Sequence, residues 1–271
     1  MQTPRVYWLT GASSGIGREL ARGLATAGHR VYVSARNTDA LATLVADYPG
    51  QLVALPCDVS DDLAMQSVFN SLPEAQRPQQ IDGLILSAGT CEYVDLPELD
   101  MASFRRVADV NFFGVVNACK VALPLLQAAA QKSAGRKPEI VGICSMSVLT
   151  GFPRAEAYGA TKAAMGYFLN ALRCDVQATI DVTVVYPGFV TTPMTATNDF
   201  PMPFCISATE AASHILARLG RGKRSISFPW QLDLLLRLAS LLPGLWYGVL
   251  MKKISRQHKK SGSTPQGRPA P

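Results

Sequence analysis

The run Arg5-Val6-Tyr7-Trp8-Leu9, followed by Thr10-Gly11-Ala12-Ser13-Ser14-Gly15-Ile16-Gly17, constrains this chain more than any other stretch. A short apolar run reads as a buried strand. The turn carries glycines at 11, 15 and 17, and the helical pattern Arg18 to Ala27 follows it. Glycine permits a tight turn and lets a ligand approach the backbone. The start of the helix then offers unpaired N–H groups, a good seat for a phosphate. Strand, glycine-rich turn and helix in that order open a βαβ unit, which calls for a parallel sheet. The spacing is Gly-x-x-x-Gly-x-Gly, not the Gly-x-Gly-x-x-Gly of the better-known fingerprint. A turn whose glycines serve only helix packing is the other reading.

A second stretch brings chemistry. Tyr158 and Lys162 are one helical turn apart, so on a helix they share a face, separated by about 6 Å of rise. Ser145 closes the strand-like run Glu139-Ile140-Val141-Gly142-Ile143-Cys144. A serine at a strand end and a Tyr/Lys pair on the next helix can converge on one small volume. That grouping suits a carbonyl. A phenol with a pKa of about 10 must shift by roughly three units, about 4 kcal/mol, to exchange protons near neutrality. A nearby ammonium or an oxidised nicotinamide would favour the phenolate. Ser145 can bond the substrate oxygen as charge develops on it. Alone, a tyrosine four residues before a lysine is common on any helix.

Thr10-Gly11 through Gly17, together with Ser145, Tyr158 and Lys162, resembles the short-chain dehydrogenase/reductase family, over roughly residues 5–228. The resemblance implies an α/β fold, a doubly wound parallel sheet of Rossmann type with the substrate site built onto one domain. It also implies that Asn111, in Val110-Asn111-Phe112-Phe113-Gly114, kinks a helix spanning about 101–131 and holds a water that leads to Lys162. The cofactor would touch Gly11, Ser13, Ser14, Gly15, Ile16 and Gly17 of the turn, then Asp58 and Val59 at the adenine. Ser87, Ala88 and Gly89 would follow, where the family usually has Asn-Ala-Gly. Tyr158, Lys162, Pro187, Gly188, Val190 and Thr192 would complete the contacts, with Thr192 at the carboxamide. Asp58 or Ser60 could instead cap the next helix.

The strand His29 to Ser34 ends at Ala35-Arg36. A carboxylate there would bond the ribose of NAD. A guanidinium would pair with a 2′-phosphate, so the cofactor expected is NADP(H). Members of the family that prefer NADP(H) are the nearest match. A solvated arginine at a strand end is the plain alternative.

Segment 189–207 falls where the family places a substrate lid. Its Met194, Phe200, Met202 and Phe204 would line an apolar pocket and favour a lipophilic carbonyl or alcohol. Packing of the same residues onto the core is equally open. The expected division is a catalytic domain at 1–228, an apolar helical extension at 229–260 and a disordered, Ser-, Gly- and Pro-rich tail at 261–271.

The net charge of +6 sits in the tail: Lys252, Lys253, Arg256, Lys259, Lys260 and Arg268 all follow Met251, and no acidic residue does. Residues 1–251 are near neutral, which argues against a nucleic-acid partner. Cysteines 57, 91, 119, 144, 174 and 205 are scattered, without Cys-x-x-Cys or a histidine cluster. They read as reduced, mostly buried thiols in a reducing compartment, with no metal. Met1-Gln2-Thr3-Pro4-Arg5 runs straight into the first strand, so no signal peptide is expected. The Leu-rich stretch 230–251 contains Asp233, Arg237 and Pro243-Gly244, which disfavour a bilayer span. It can pack on the domain, on a second subunit, or, with the basic end of 230–260, at a membrane surface. The family often pairs through the helices of Tyr158 and 208–219, so a homodimer or homotetramer is expected, cytoplasmic or peripheral to a membrane. Two other functions stay in view: a dinucleotide-binding sensor or scaffold on the same fold, and an epimerase or dehydratase.

Overall fold

The structure, a computed structural model, describes residues 3–132 and 135–252, without the side chain of Leu250. Ser133, Ala134, the basic residues from Lys253 onward and the tail 261–271 lie outside the described residues.

Apolar strands alternate with helices along the chain. In order they are β1 (Val6–Thr10), α1 (Gly15–Thr26), β2 (Arg30–Ser34), α2 (Thr38–Ala46), β3 (Leu52–Ala54), α3 (Asp62–Gln66) and β4 (Gly83–Leu86). Then come α4 (Met101–Ala108), α5 (Gly114–Lys132), β5 (Glu139–Ile143), α6 (Glu156–Val176) and β6 (Asp181–Pro187). Next follow β7 (Val190–Thr191), β8 (Ile206–Ser207), α7 (Ala208–Leu216), β9 (Ser225–Phe228) and α8 (Trp230–Leu241). The main sheet has seven parallel strands in the order β3-β2-β1-β4-β5-β6-β9. Strands buried on both faces need apolar residues throughout, which is why they read as continuous runs. On one face Leu20, Leu24, Leu41, Leu44, Ala212 and Ile215 of α1, α2 and α7 cover the sheet. On the other, Val115, Ala118, Ala122, Leu126, Met165 and Leu169 of α5 and α6 do so.

The chain winds outward from β1 to β3, then returns to β4 on the other side of β1. That reversal leaves a crevice at the carboxyl ends of β1 and β4, where open α/β sheets bind ligands.

Some local expectations hold and others shift. The helix over 101–131 is broken by a π-helical turn at Asp109–Phe113, which includes Asn111. Such single π turns bend a helix and recur at functional sites. Asp61 caps α3 by accepting from the Ala64 amide at 2.9 Å. Neither Asp58 nor Ser60 is the cap; the Asp58 carboxylate instead accepts from the amide and hydroxyl of Ser60. Ser207 and Glu210 form a reciprocal capping box at the start of α7. Only Cys119 and Cys144 are buried, and Cys174 is exposed, so the thiols are less hidden than their scatter suggests.

The C-terminal stretch folds back onto the domain. After α8 a second arm, Pro243–Val249, turns by 100°. Leu232, Leu236, Trp246 and Met251 pack on Met146, with Leu149, Phe152 and Phe189 around them. Trp246 Nε1 donates to the Gly151 carbonyl at 3.2 Å, and the Gly151 amide donates to Tyr247 Oη at 2.9 Å. These bonds pin the arm to the loop after β5.

Candidate active site

Ser145 lies two residues beyond β5 in extended backbone and begins a single 3-10 turn at Met146–Val148. Its Oγ accepts from the Ser147 amide at 3.1 Å, which holds the side chain at the sheet's carboxyl edge. Tyr158 and Lys162 share the inner face of α6, and their side chains reach the same point. The Tyr158 hydroxyl stands near enough to Ser145 for the serine side chain to lower its pKa. Lys162 is 4% exposed; its Nζ donates to the Ile143 carbonyl at 2.8 Å and lies 5.9 Å from the Tyr158 ring centre.

Burial is the largest influence on both groups. It pushes the Tyr158 phenol well above its ordinary range, and the Ser145 side chain only partly offsets this. It lowers the Lys162 ammonium from 10.5. Burial likewise raises the neighbouring Cys91 thiol to about 11, so Lys162 faces a neutral thiol there.

Asn111 is fully buried. Its Oδ1 accepts from the Thr90 amide at 2.8 Å, and its Nδ2 donates to the Thr90 carbonyl at 2.9 Å and to Thr161 Oγ1 at 3.1 Å. Thr161 Oγ1 in turn donates to the Tyr158 carbonyl at 2.9 Å. Both amide donors are therefore spent on tying the loop after β4 to the helix that carries Tyr158 and Lys162. Oδ1 keeps a second lone pair beyond the bond from Thr90.

Every residue expected to touch the dinucleotide lines a single cleft of about 240 Å³ over the β1–β4 crevice: Gly11, Ser13, Ser14, Gly15, Ile16, Gly17, Arg36, Asp58, Val59, Ser87, Ala88, Gly89, Tyr158, Lys162, Pro187, Gly188, Val190 and Thr192. The glycines leave no room for side chains. Gly11 has φ 74°, and a Cβ there would meet the Ala88 amide nitrogen at 2.6 Å; one on Gly17 would meet the Gly11 carbonyl oxygen at 2.2 Å. The turn is thus folded against its own helix, which keeps the first N–H groups of α1 turned to the cleft. Gly15 lies beneath Thr192, and a Cβ on it would come within 3.1 Å of the threonine methyl. Arg36, 72% exposed in its side chain, sits at the far end with its guanidinium 3.8 Å from Asp58. Burial pushes the Asp58 carboxyl up, but the bonds from Ser60 and the charge of Arg36 outweigh this and hold it below the usual carboxylate range. A cradle closed to Cβ atoms, a helix start and a cation at the far rim fit a phosphorylated dinucleotide.

A second cavity of about 590 Å³ adjoins the first, and Ser145, Tyr158, Pro187, Gly188, Met194 and Thr195 belong to both walls. Its lining is mainly apolar: Met146, Phe152, Phe189, Phe200, Leu232, Leu235, Leu236, Trp246 and Met251 take part. Met194 and Phe200 stand where the sequence places them. Met202 and Phe204 do not line it. Phe204 adopts left-handed backbone (φ 57°) in the turn into β8 and is 48% exposed. β7 pairs with β8, so the intervening loop is tied at both ends.

Sequence reasoning missed two parts of this cavity. One is the wall built by α8 and the second arm. The other is Arg154, which donates to Asp95 at 2.8 Å and Asp199 at 3.0 Å and stacks 4.9 Å above the Tyr93 ring. Tyr93 is itself hydrogen-bonded to Asn198. Arg154 therefore joins the loop after β4 to the β7–β8 loop. An arginine between Pro153 and Ala155 has no periodicity to reveal that role, although its φ of 67° marks the position as special once seen.

Residues 5–200 match the short chain dehydrogenase family. An uncharacterized oxidoreductase of Myxococcus xanthus is 30% identical over 252 residues, 92% of this chain and 97% of that protein. Dehydrogenase/reductase SDR family member 7B of Bos taurus is 30% identical over 95% of this chain and 84% of its own length. Among solved structures, the Pseudomonas aeruginosa RhlG/NADP active-site complex superposes with a TM-score of 0.66 at 26% identity, over 87% of this chain and 89% of that one. With the parallel sheet, the glycine cradle and the Ser145–Tyr158–Lys162 cluster in place, this chain belongs to the short-chain dehydrogenase family of oxidoreductases, which act with a dinucleotide cofactor on a carbonyl or alcohol.

Proposed function

We propose that the protein is an NADP(H)-dependent carbonyl reductase or alcohol dehydrogenase for a lipophilic substrate, with Tyr158 as its acid and base. One observation carries this reading: Ser145 and Tyr158 stand in the wall shared by the cradle cleft and the apolar cavity. A carbonyl entering the apolar cavity meets both hydroxyls on the side that faces the cleft.

Gly11 to Gly17 and the start of α1 would hold the pyrophosphate, Arg36 the 2′-phosphate, and Thr192 the carboxamide. Bound there, NADP(H) supplies or takes the hydride, and its oxidised ring adds a positive charge that favours the phenolate. Ser145 bonds the substrate oxygen and orients it. Tyr158 donates the proton as a carbonyl is reduced and accepts it as an alcohol is oxidised. Lys162 orients the ribose and favours the phenolate by its charge. Asn111, by way of Thr161, keeps the helix of Tyr158 and Lys162 in place and leaves its remaining acceptor to a relay water.

NADP(H) rather than NAD(H) is supported by Arg36 at the β2 end and by the NADP complex of the Pseudomonas aeruginosa relative. Lipophilic substrates are supported by the aromatic and aliphatic lining of the second cavity. Assembly into a homodimer or homotetramer is supported by Tyr167 on α6, which is 80% exposed. A cytoplasmic site is consistent with the unpaired cysteines. The test is consumption of NADPH against a panel of lipophilic ketones and aldehydes, with Tyr158→Phe in parallel. Turnover that drops by about 10²–10⁴ in the variant supports the reading. Equal turnover by both proteins would remove Tyr158 from the chemistry.

A further inference from the structure

The helix α8 is apolar on nearly every side. Leu232 and Leu236 are buried on the domain, at 4% and 2% exposure. The opposite side carries Trp230, Leu234, Leu238 and Leu241, exposed by 69%, 51%, 54% and 74%. Its polar residues are Asp233 and Arg237, paired at 2.8 Å, with exposed Ser240 near them and exposed Gln231 on the other flank. Leu242, Leu245 and Val249 extend the exposed face across the bend. A helix apolar all round is ordinarily buried on all sides. Here one side is covered by the domain and the other by nothing among the described residues. Contiguous exposed apolar surface of this kind marks a protein or membrane contact.

Charge decides what fits it. The patch leads directly into Lys252, which is exposed, and the sequence continues with Lys253, Arg256, Lys259, Lys260 and Arg268 without an acidic residue. A second copy docked by two-fold symmetry would use the same patch on both subunits and bring two such basic segments together. An anionic lipid surface complements both features, apolar face and positive flank. Spanning is incompatible with the geometry: the two arms diverge by 100°, and Leu232, Leu236, Trp246 and Met251 hold both against the domain. Trp230 and Tyr247, 69% and 51% exposed, are side chains that settle at a lipid–water boundary.

We propose that the outer face of α8 and the Pro243–Val249 arm docks in the plane of an anionic bilayer interface, the lysines and arginines that follow Met251 in the sequence supplying the complementary charge. Leu235 is 48% exposed and also lines the 590 Å³ cavity, so docking lays the wall of that cavity along the lipid. The docking itself does not depend on the redox reading, and its test needs no turnover.

The molecule carries its own probe. Of its three tryptophans, Trp8 and Trp246 are 0% and 5% exposed, and Trp230 alone is exposed. The full chain is titrated with vesicles of phosphatidylcholine and phosphatidylglycerol, and in parallel with phosphatidylcholine alone, while tryptophan emission and co-flotation are followed. The expected result is a blue shift and flotation with the anionic vesicles, the shift being lost in Trp230→Phe. The triple variant Leu234→Ser, Leu238→Ser, Leu241→Ser should bind at least about tenfold more weakly. Lys252→Gln with Lys253→Gln should cost about fivefold per lysine, a second route should the leucine variant fail to fold. Thermal melts of each variant check that the domain is intact. Absence of flotation with anionic vesicles overturns the proposal, and so does binding that survives in the folded leucine variant. A concentration-dependent dimer that the leucine substitutions dissociate, without vesicle binding, would assign the face to a second copy instead.

Discussion

The Lys162 ammonium donates to the Ile143 carbonyl at 2.8 Å while lying 5.9 Å from the centre of the Tyr158 ring. The backbone of β5 thereby anchors the lysine against the tyrosine one helical turn before it. Its Nζ also lies 3.9 Å from the Met165 sulfur. Among the described residues the charge is held in the interior by dipoles and not by a carboxylate, an arrangement that costs stability and is kept where a charge is useful.

Lys162→Met removes that charge with little change of volume. We expect kcat/KM to fall by about 10²–10⁴ and the melting temperature to hold or rise. The pH dependence follows from the direction of the shift. Burial depresses the folded-state pKa of Lys162 below the ordinary 10.5, so between the two values the unfolded chain binds more protons. The wild type should therefore gain stability as pH rises through the folded value toward 10.5, relative to the Met variant. Melting curves of both proteins across that range check it; parallel curves would mean that the lysine is not buried as a cation.

Arg36→Ala tests cofactor choice. The guanidinium is exposed and 3.8 Å from Asp58, free to swing onto a phosphate. Losing a charge-assisted bond of about 1.5–3 kcal/mol should raise KM for NADPH by roughly ten- to a hundredfold. KM for NADH should stay nearly constant. Steady-state kinetics with each cofactor decides the matter, and an equal loss for both would deny Arg36 its phosphate.

Trp246→Ala opens the cavity wall. The indole is 5% exposed, packs edge-on to Phe152 and donates to Gly151. Truncation of a buried aromatic typically costs about 3–5 kcal/mol. Denaturation curves should show a loss of that size, while Trp246→Phe, which keeps most of the volume, should lose less. If the extension were merely laid on the surface, both variants would melt like the wild type.

Arg154→Ala cuts the tie between the loop after β4 and the β7–β8 loop. Its two carboxylate partners are largely exposed, so the loss of stability should be about 1 kcal/mol or less. The kinetic effect should fall on KM, because the loops shape the cavity without touching the reacting oxygen. A drop confined to kcat would place Arg154 in the chemistry instead.

The sequence by itself determined the parallel α/β frame, the glycine cradle and the Ser145–Tyr158–Lys162 cluster. Each rests on short-range rules: continuous apolar strands, a turn in which Gly11 needs φ 74°, and a Tyr/Lys pair one helical turn apart. The cleft over the β1–β4 crevice was legible for the same reason, since its residues stand at strand ends that the fold class aligns. What only the tertiary structure decided depends on contacts between distant segments. Periodicity marks which side of a helix is apolar, but α8 is apolar almost all round, so no pattern could tell that Leu232 and Leu236 face the cavity and Leu234 and Leu238 face out. That choice is made by the bond from Trp246 to Gly151 and by the bend before it. The clamp of Arg154 on Asp95 and Asp199 likewise joins residues far apart in sequence, and Phe204 leaves the pocket because its turn takes left-handed backbone. Local composition determines what an element can bury; the assembled fold decides which of its faces does so.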